Sequence, residues 1–98
     1  MFETYEEFKD DVKESLDDLE SVPPEFLNPS GLAVRFLLIN VMFDIALCDT
    51  PTELLKALTT DEEYLCIKKH GEKSARVALV GLCMDLQEMI AKENKTND

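Results

Sequence analysis

The stretch LAVRFLLINVMFDIALC, residues 32–48, decides the fold class of this 98-residue chain. Only Arg35, Asn40 and Asp44 in it are strongly polar. A run of this length is at the short end of what crosses a bilayer, and each charge at that depth costs about 2.5–3.5 kcal/mol. We therefore expect no membrane association. We predict a central helix surrounded by other elements, because a helix that is apolar on all sides needs burial on all sides.

Helix-start signals on both sides of this stretch divide the chain into further helices. Asn28-Pro29 combines an N-cap residue with proline at the first helical position. Thr4, Thr50 and Thr60 are each followed three residues later by Glu, the capping-box spacing that pairs a hydroxyl and a carboxylate with unpaired amides. Pro23-Pro24 ends the first helix, because proline cannot continue it.

The junction at Gly71 has two interpretations. The residue is a plausible C-cap after Lys68-Lys69, or it lies inside one long helix at a cost near 1 kcal/mol. We favour a break. The fold is predicted to be all-α, a compact bundle of four to five helices in a single domain, 1–98. The helices are expected at about residues 4–21, 29–48, 51–58, 61–69 and 72–93, with residues 94–98 frayed.

Charge is concentrated at the start of the chain. The whole chain has a net charge of −11; residues 1–20 contain nine acids and two lysines, a net charge of −7. A field of this sign repels phosphate and attracts cations, so we expect no direct nucleic acid binding and a partner protein with a basic surface. The acidic start also lacks the positive region of a signal peptide, which favours a cytoplasmic location.

The acids of the first helix form a line, at successive spacings of 4, 3, 4 and 3 residues. The predicted partner-binding residues are Glu3, Glu7, Asp10, Glu14, Asp17 and Asp18. Nine acids over eighteen residues give about one charge per 3 Å of helix, close to the phosphate spacing of about 3.4 Å along a DNA strand. A rigid helix of this charge density fits a groove that binds nucleic acid, as an inhibitor would. For the charge run taken alone we favour the other interpretation, a solvated face that keeps the chain soluble.

A short basic segment, residues 68–76, is the second candidate site. Its candidate anion-binding residues are Lys68, Lys69, Lys73 and Arg76, with helix-start amides in support. The interpretation that we favour is that the segment docks against the acidic helix, within one chain or across a dimer.

Cysteine and histidine give no catalytic or metal site. Cys48, Cys66 and Cys83 are odd in number and lie in apolar stretches, which predicts reduced, buried thiols. Cys66 and His70 have the i, i+4 spacing of a zinc pair, but a structural zinc site needs four ligands. We therefore predict no enzyme activity, no catalytic residue, no metal and no cofactor.

Surplus apolar surface is the last feature of the sequence. Two largely apolar helices present more apolar surface than a 98-residue monomer buries. The surplus predicts an isologous homodimer. In the central helix, Asn40 and Asp44 either fix how the bundle packs or mark where it meets another subunit, and we favour packing. Small residues from Gly71 to Gly81 are expected to let the last helix approach the central one. The alternative function is a helical adaptor or immunity-type protein that acts through an apolar dimer or groove surface.

Overall fold

The computed structural model describes the backbone of residues 2–96 and the side chains of residues 2–94. Within that range the elements are α1 (Tyr5–Glu20), a short 3-10 helix (Pro24–Phe26), α2 (Pro29–Leu47), α3 (Pro51–Thr60), α4 (Glu62–His70) and α5 (Lys73–Thr96). The predicted all-α bundle of four to five helices is confirmed. The 3-10 helix was not predicted, and α5 extends three residues beyond its predicted end at 93. Residues 97 and 98 of the predicted frayed tail, 94–98, lie outside the described residues.

Three of the four predicted capping residues are confirmed. The side chains of Thr4, Asn28 and Thr50 each accept a hydrogen bond from the backbone N–H three residues later, at 3.1, 2.7 and 3.2 Å. Each satisfies one donor that the first helical turn leaves unpaired. At α1 the second bond of the capping box differs from expectation. The carboxylate of Glu7 accepts from the N–H of Glu3, at 3.1 Å, and not from the N–H of the N-cap Thr4.

The fourth predicted cap, at Thr60, is wrong, although the helix predicted there is found as α4 (Glu62–His70). Thr60 is the last residue of α3, and its hydroxyl donates to the carbonyl of Lys56 at 2.6 Å. Asp61 is the C-cap of α3 and also the N-cap of α4, without a side-chain cap bond. Its N–H donates to the carbonyl of Ala57 and its own carbonyl accepts from Leu65. The two helices therefore share one joint residue.

The predicted break at Gly71 is confirmed, but for a different physical reason. Gly71 has extended backbone, with φ −70° and ψ 169°, and not the left-handed geometry common at glycine C-caps. Its N–H donates to the carbonyl of Ile67 at 2.8 Å, and a Cβ on Gly71 would lie 2.5 Å from that oxygen. The close approach of the backbone therefore requires glycine here.

One side of each helix builds the core. α2 and α5 pack together in the middle, α1 packs on α2, and α3 and α4 pack on α5. The buried hydrophobic residues are Phe8, Val12, Leu16, Leu37, Leu38, Val41, Leu54, Leu58, Tyr64, Ala75, Leu79, Leu86 and Met89.

The prediction that other elements surround α2 is wrong. Only Leu37, Leu38 and Val41 of this helix are buried. Its neighbours pack against one side, and the few short helices of this small chain do not enclose the other. The opposite side exposes four large hydrophobic residues, which we call the outer face of α2: Leu32, Phe36, Phe43 and Leu47.

The polar residues of α2 make contacts within the chain. The hydroxyl of the fully buried Tyr64 donates to the carboxylate of Asp44. Desolvation by burial, followed by this hydrogen bond, raises the pKa of Tyr64 well above its ordinary value of 10.0. Arg35 lies 3.8 Å from Glu20 of α1, and the amide of Asn40 donates to a carbonyl one turn earlier in its own helix. Asp44 thus links α2 to α4 through one hydrogen bond, which favours a role within the chain, whereas Asn40 does not contact another helix through its bond.

Candidate interaction surfaces

The acids of α1 lie on the side of the helix that faces away from the core. At about 100° per residue, the four acids of the predicted line that belong to α1 fall within an arc of about 80°, centred opposite the buried Phe8, Val12 and Leu16. The fifth, Glu3, lies just before the N-cap of α1. All six residues predicted to bind a partner are exposed: Glu3, Glu7, Asp10, Glu14, Asp17 and Asp18. We call these six residues the acidic stripe.

Ion pairs within the chain neutralise only part of the acidic stripe. Lys13 lies 3.0 Å from Asp17, and Lys92 of α5 lies 3.6 Å from Glu3. Both pairs are substantially exposed, and such pairs contribute little to stability. Among the described side chains, the stripe residues without an ion pair are Glu7, Asp10, Glu14 and Asp18.

One hydrogen bond and the buried apolar residues of α1 hold this helix against α2. The hydroxyl of Tyr5 donates to the carbonyl of Cys48, just after α2, at 3.0 Å. Burial, together with nearby negative charge, raises the pKa of Tyr5 to about 12. The ring of Phe8 lies edge-to-face with Phe2 at 5.7 Å and stacks with Tyr5 at 6.3 Å. The acidic stripe is therefore presented on a helix that the fold holds in place.

The predicted basic site is exposed at the junction of α4 and α5. Lys68 and Lys69 end α4, whereas Lys73 and Arg76 begin α5. The favoured interpretation, docking on the acidic helix, is not found within the chain: none of these four residues forms an ion pair with another described residue. The reason is topological, because α1 packs on α2 whereas α4 packs on α5 and α3. Docking across a dimer stays a prediction.

The carboxylate of Glu72 already accepts a hydrogen bond from one of the backbone N–H groups that were expected to help bind an anion. Its carboxylate accepts from the N–H of Ser74 at 2.7 Å and from the hydroxyl of Ser30 at 3.0 Å. Desolvation alone would raise the pKa of Glu72, but these hydrogen bonds outweigh it and hold the pKa below its ordinary value. The start of α5 is thus capped by the chain's own acid, which weakens the case for an anion site there.

A second apolar surface lies beside the basic residues. Its exposed residues are Leu65, Val77, Val80 and Met84. One groove of about 370 Å³ is lined by Lys73, Arg76, Val77 and Val80. A second, of about 210 Å³, runs between α3, α4 and α5 and has Leu65, Lys68 and Met84 in its lining. We call this surface the α5 groove; it combines an apolar floor with cationic edges.

The cysteines differ in burial. Cys66 is exposed, so the prediction of three buried thiols is wrong for this residue, because its side of α4 faces outward. Cys48 and Cys83 are half-buried, and burial raises the pKa of both thiols, which disfavours the reactive thiolate. Within the described residues there is no group of three or more His, Cys, Asp or Glu side chains placed to hold a metal ion.

The small-residue strip does not act as predicted at Gly81. A Cβ built on this residue would meet no atom within 4 Å. No helix therefore approaches α5 closely at this position. Ala78 does pack against the core, as one of its partly buried hydrophobic residues.

The sequence predicted surplus apolar surface but did not place it on the outer face of α2. Its residues are spaced by 4, 7 and 4 positions, a helical repeat that the apolar residues between them concealed. By length and composition alone, α2 is also the one helix in the described part of the chain that is long and apolar enough to cross a membrane.

No protein-family model matches this chain, and searches of curated proteins and of solved structures gave no match.

Proposed function

We propose that this chain is a small protein–protein interaction module that binds a basic surface of a partner through the acidic stripe of α1. The supporting observation is the position of the stripe, which lies opposite the core on a helix that packs on α2 through Phe8, Val12 and Leu16. Carboxylates held in this way form charge-assisted hydrogen bonds with Arg and Lys without first ordering a flexible segment.

Inhibition follows from the spacing of the charges. When every acid of α1 is counted, those flanking the stripe included, the helix carries about one carboxylate per 3 Å, which resembles the phosphate spacing of about 3.4 Å along a DNA strand. A groove that binds nucleic acid through Arg and Lys has the matching charge pattern. On this proposal the module acts in the cytoplasm, without catalysis of its own, by keeping nucleic acid from that groove.

A charge-reversal experiment tests the stripe. The variant Asp10→Lys, Glu14→Lys, Asp17→Lys is compared with a control that reverses three exposed acids elsewhere: Glu25→Lys, Glu62→Lys, Glu88→Lys. Both variants change the net charge equally, and circular dichroism checks that both are folded. Proteins captured by the wild-type chain at low salt are identified by mass spectrometry and titrated against all three chains.

We expect the control to keep the partner and the stripe variant to lose it. Binding to wild type is also expected to weaken steeply as ionic strength rises, because exposed charges are screened. Equal binding by both variants, or affinity that does not change with salt, would contradict the proposal.

The α5 groove supports a second candidate, the adaptor that acts through an apolar surface. The observation in its favour is the exposure of Val77 and Met84, at 64% and 56%. Partner binding through this groove would survive high salt and would be lost in Val77→Ser, Val80→Ser. The same titrations therefore separate the two candidates.

A further inference from the structure

We propose that two copies of this chain associate through the outer face of α2 as an antiparallel pair related by a twofold axis. This surface is separate from the acidic stripe, and the proposal does not rest on the function given to that stripe.

The outer face is a continuous apolar strip on a regular helix. Its residues, Leu32, Phe36, Phe43 and Leu47, are exposed by 40, 58, 70 and 78%. At about 100° per residue they fall within an arc of about 60°, on the side opposite the buried residues of α2. No other element of the described chain covers them.

The spacing of these residues is self-complementary. Leu32 and Leu47 are equally distant from the midpoint between residues 39 and 40, and so are Phe36 and Phe43. In a twofold interface, residue i of one copy meets residue j of the other, and j meets i. An antiparallel pair with its axis at this midpoint therefore sets leucine against leucine and phenylalanine against phenylalanine.

The area available fits a weak dimer. An aromatic side chain carries about 150–250 Å². The exposed parts of Phe36 and Phe43 thus amount to roughly 250 Å² per copy. With the leucines and their flanks, two copies bury on the order of 1,000 Å², which is at the lower limit for a specific interface. We expect a dissociation constant on the order of micromolar.

Charge favours this face over the others. Two chains of net charge −11 repel, so they meet most easily where charge is absent. α2 carries one acid and one base, and within the chain Asp44 binds Tyr64 while Arg35 lies near Glu20. The acidic stripe would set acids against acids. Two copies paired through the α5 groove would set its cationic edges against each other.

Oligomeric state is the primary test. Sedimentation of the full chain over a roughly hundredfold range of concentration around the expected dissociation constant should show a monomer–dimer equilibrium. Phe36→Ser, Phe43→Ser should weaken dimerisation by at least about tenfold, whereas the control Val77→Ser, Val80→Ser should leave it unchanged. Added salt should strengthen the dimer, because it screens the repulsion between two acidic chains.

Thiol cross-linking tests the register. Leu32→Cys and Leu47→Cys are made separately, each in a chain whose own cysteines are replaced, Cys66 by serine and the half-buried Cys48 and Cys83 by alanine. In the proposed pair, position 32 of one copy faces position 47 of the other, whereas like positions are 15 residues, or about 22 Å, apart. A mixture of the two proteins should therefore cross-link faster with a short reagent than either protein alone.

Several outcomes would overturn the proposal. One is a chain that stays monomeric throughout the concentration range. A second is equal weakening by the α2 and α5 variants, and a third is faster cross-linking between like positions. The last is a chain that is monomeric in buffer but binds phosphatidylcholine–phosphatidylglycerol vesicles, with Phe36→Ser, Phe43→Ser abolishing binding; this would identify a membrane as the occupant of the face.

Discussion

α1 and α2 bury similar faces but present opposite chemistry to solvent. Each buries three residues, Phe8, Val12 and Leu16 in α1 and Leu37, Leu38 and Val41 in α2. On the other side α1 carries carboxylates, whereas α2 carries phenylalanine and leucine. The apolar content of a helix therefore does not determine how much of it the core covers, because the far more apolar α2 buries no more residues than α1 does. The uncovered side of α2 is apolar and is stabilised when another molecule covers it. The uncovered side of α1 is charged and is well solvated by water.

The largest expected effect is the loss of stability when a buried residue of α1 or α2 is truncated, and it shows whether the two buried faces contribute equally. Phe8→Ala and Leu37→Ala should lower the free energy of unfolding by about 3–5 and 2–5 kcal/mol, because each leaves a cavity in the core. Phe43→Ala, on the outer face of α2, should change it by less than about 0.5 kcal/mol. Urea unfolding at low protein concentration measures all three. A large loss for Phe43→Ala would mean that this face is covered within the monomer.

The next effect compares how the two helices are tied to the rest of the fold. Tyr64→Phe removes a hydrogen bond to the Asp44 carboxylate of α2, so we expect a loss of about 1.5–3 kcal/mol. Tyr5→Phe removes a bond from α1 to a neutral carbonyl, and the loss should be about 0.5–1.5 kcal/mol. Thermal unfolding monitored by circular dichroism gives the order, and the reverse order would contradict the contacts described.

A smaller effect separates true helix caps from apparent ones. Thr4→Ala and Asn28→Ala should each cost about 1 kcal/mol, since each cap satisfies an amide at the start of α1 or α2. Thr60→Ala is the matched control, because this hydroxyl bonds to a carbonyl of its own helix. Its unfolding free energy should stay within about 0.5 kcal/mol of wild type. If Thr60→Ala lowered the free energy of unfolding as much as Thr4→Ala does, Thr60 would be a helix cap after all, in contradiction to the structure.

The most gradual effect is expected in alkaline solution. Folding raises the pKa of Tyr5 to about 12 and that of Tyr64 further, from an ordinary value of 10.0. Above about pH 10 the unfolded chain loses protons that the folded chain keeps, so the free energy of unfolding falls as pH rises. Below that pH the two tyrosines contribute fully. Urea unfolding at a series of pH values should show this decline, and Tyr5→Phe, Tyr64→Phe should flatten it.

Local features of the fold were predictable from sequence because their causes are local. Thr4, Asn28 and Thr50 cap helices through bonds that span three residues, and the acidic stripe follows from helical periodicity alone. Thr60 is followed by the same capping-box spacing, but the chain does not leave α3 before this residue, so its hydroxyl finds a carbonyl partner.

Features that depend on tertiary placement were not predictable. The apolar residues of α2 gave no sign of which side the neighbours would cover, because hydrophobic residues lie on all sides of it. The basic segment was expected to meet the acidic helix of its own chain, yet the helix order places α4 against α3 and α5. Composition identified the charges correctly but carried no information on the distance between them.

The single residue shared by α3 and α4 has a consequence for tolerance to insertions and deletions. Asp61 closes one helix and opens the next, so no slack exists at this corner. One added residue would turn α4 by about 100° relative to α3 and carry the Tyr64 hydroxyl away from Asp44. Changes of length in this corner should therefore be far more damaging than changes of residue type.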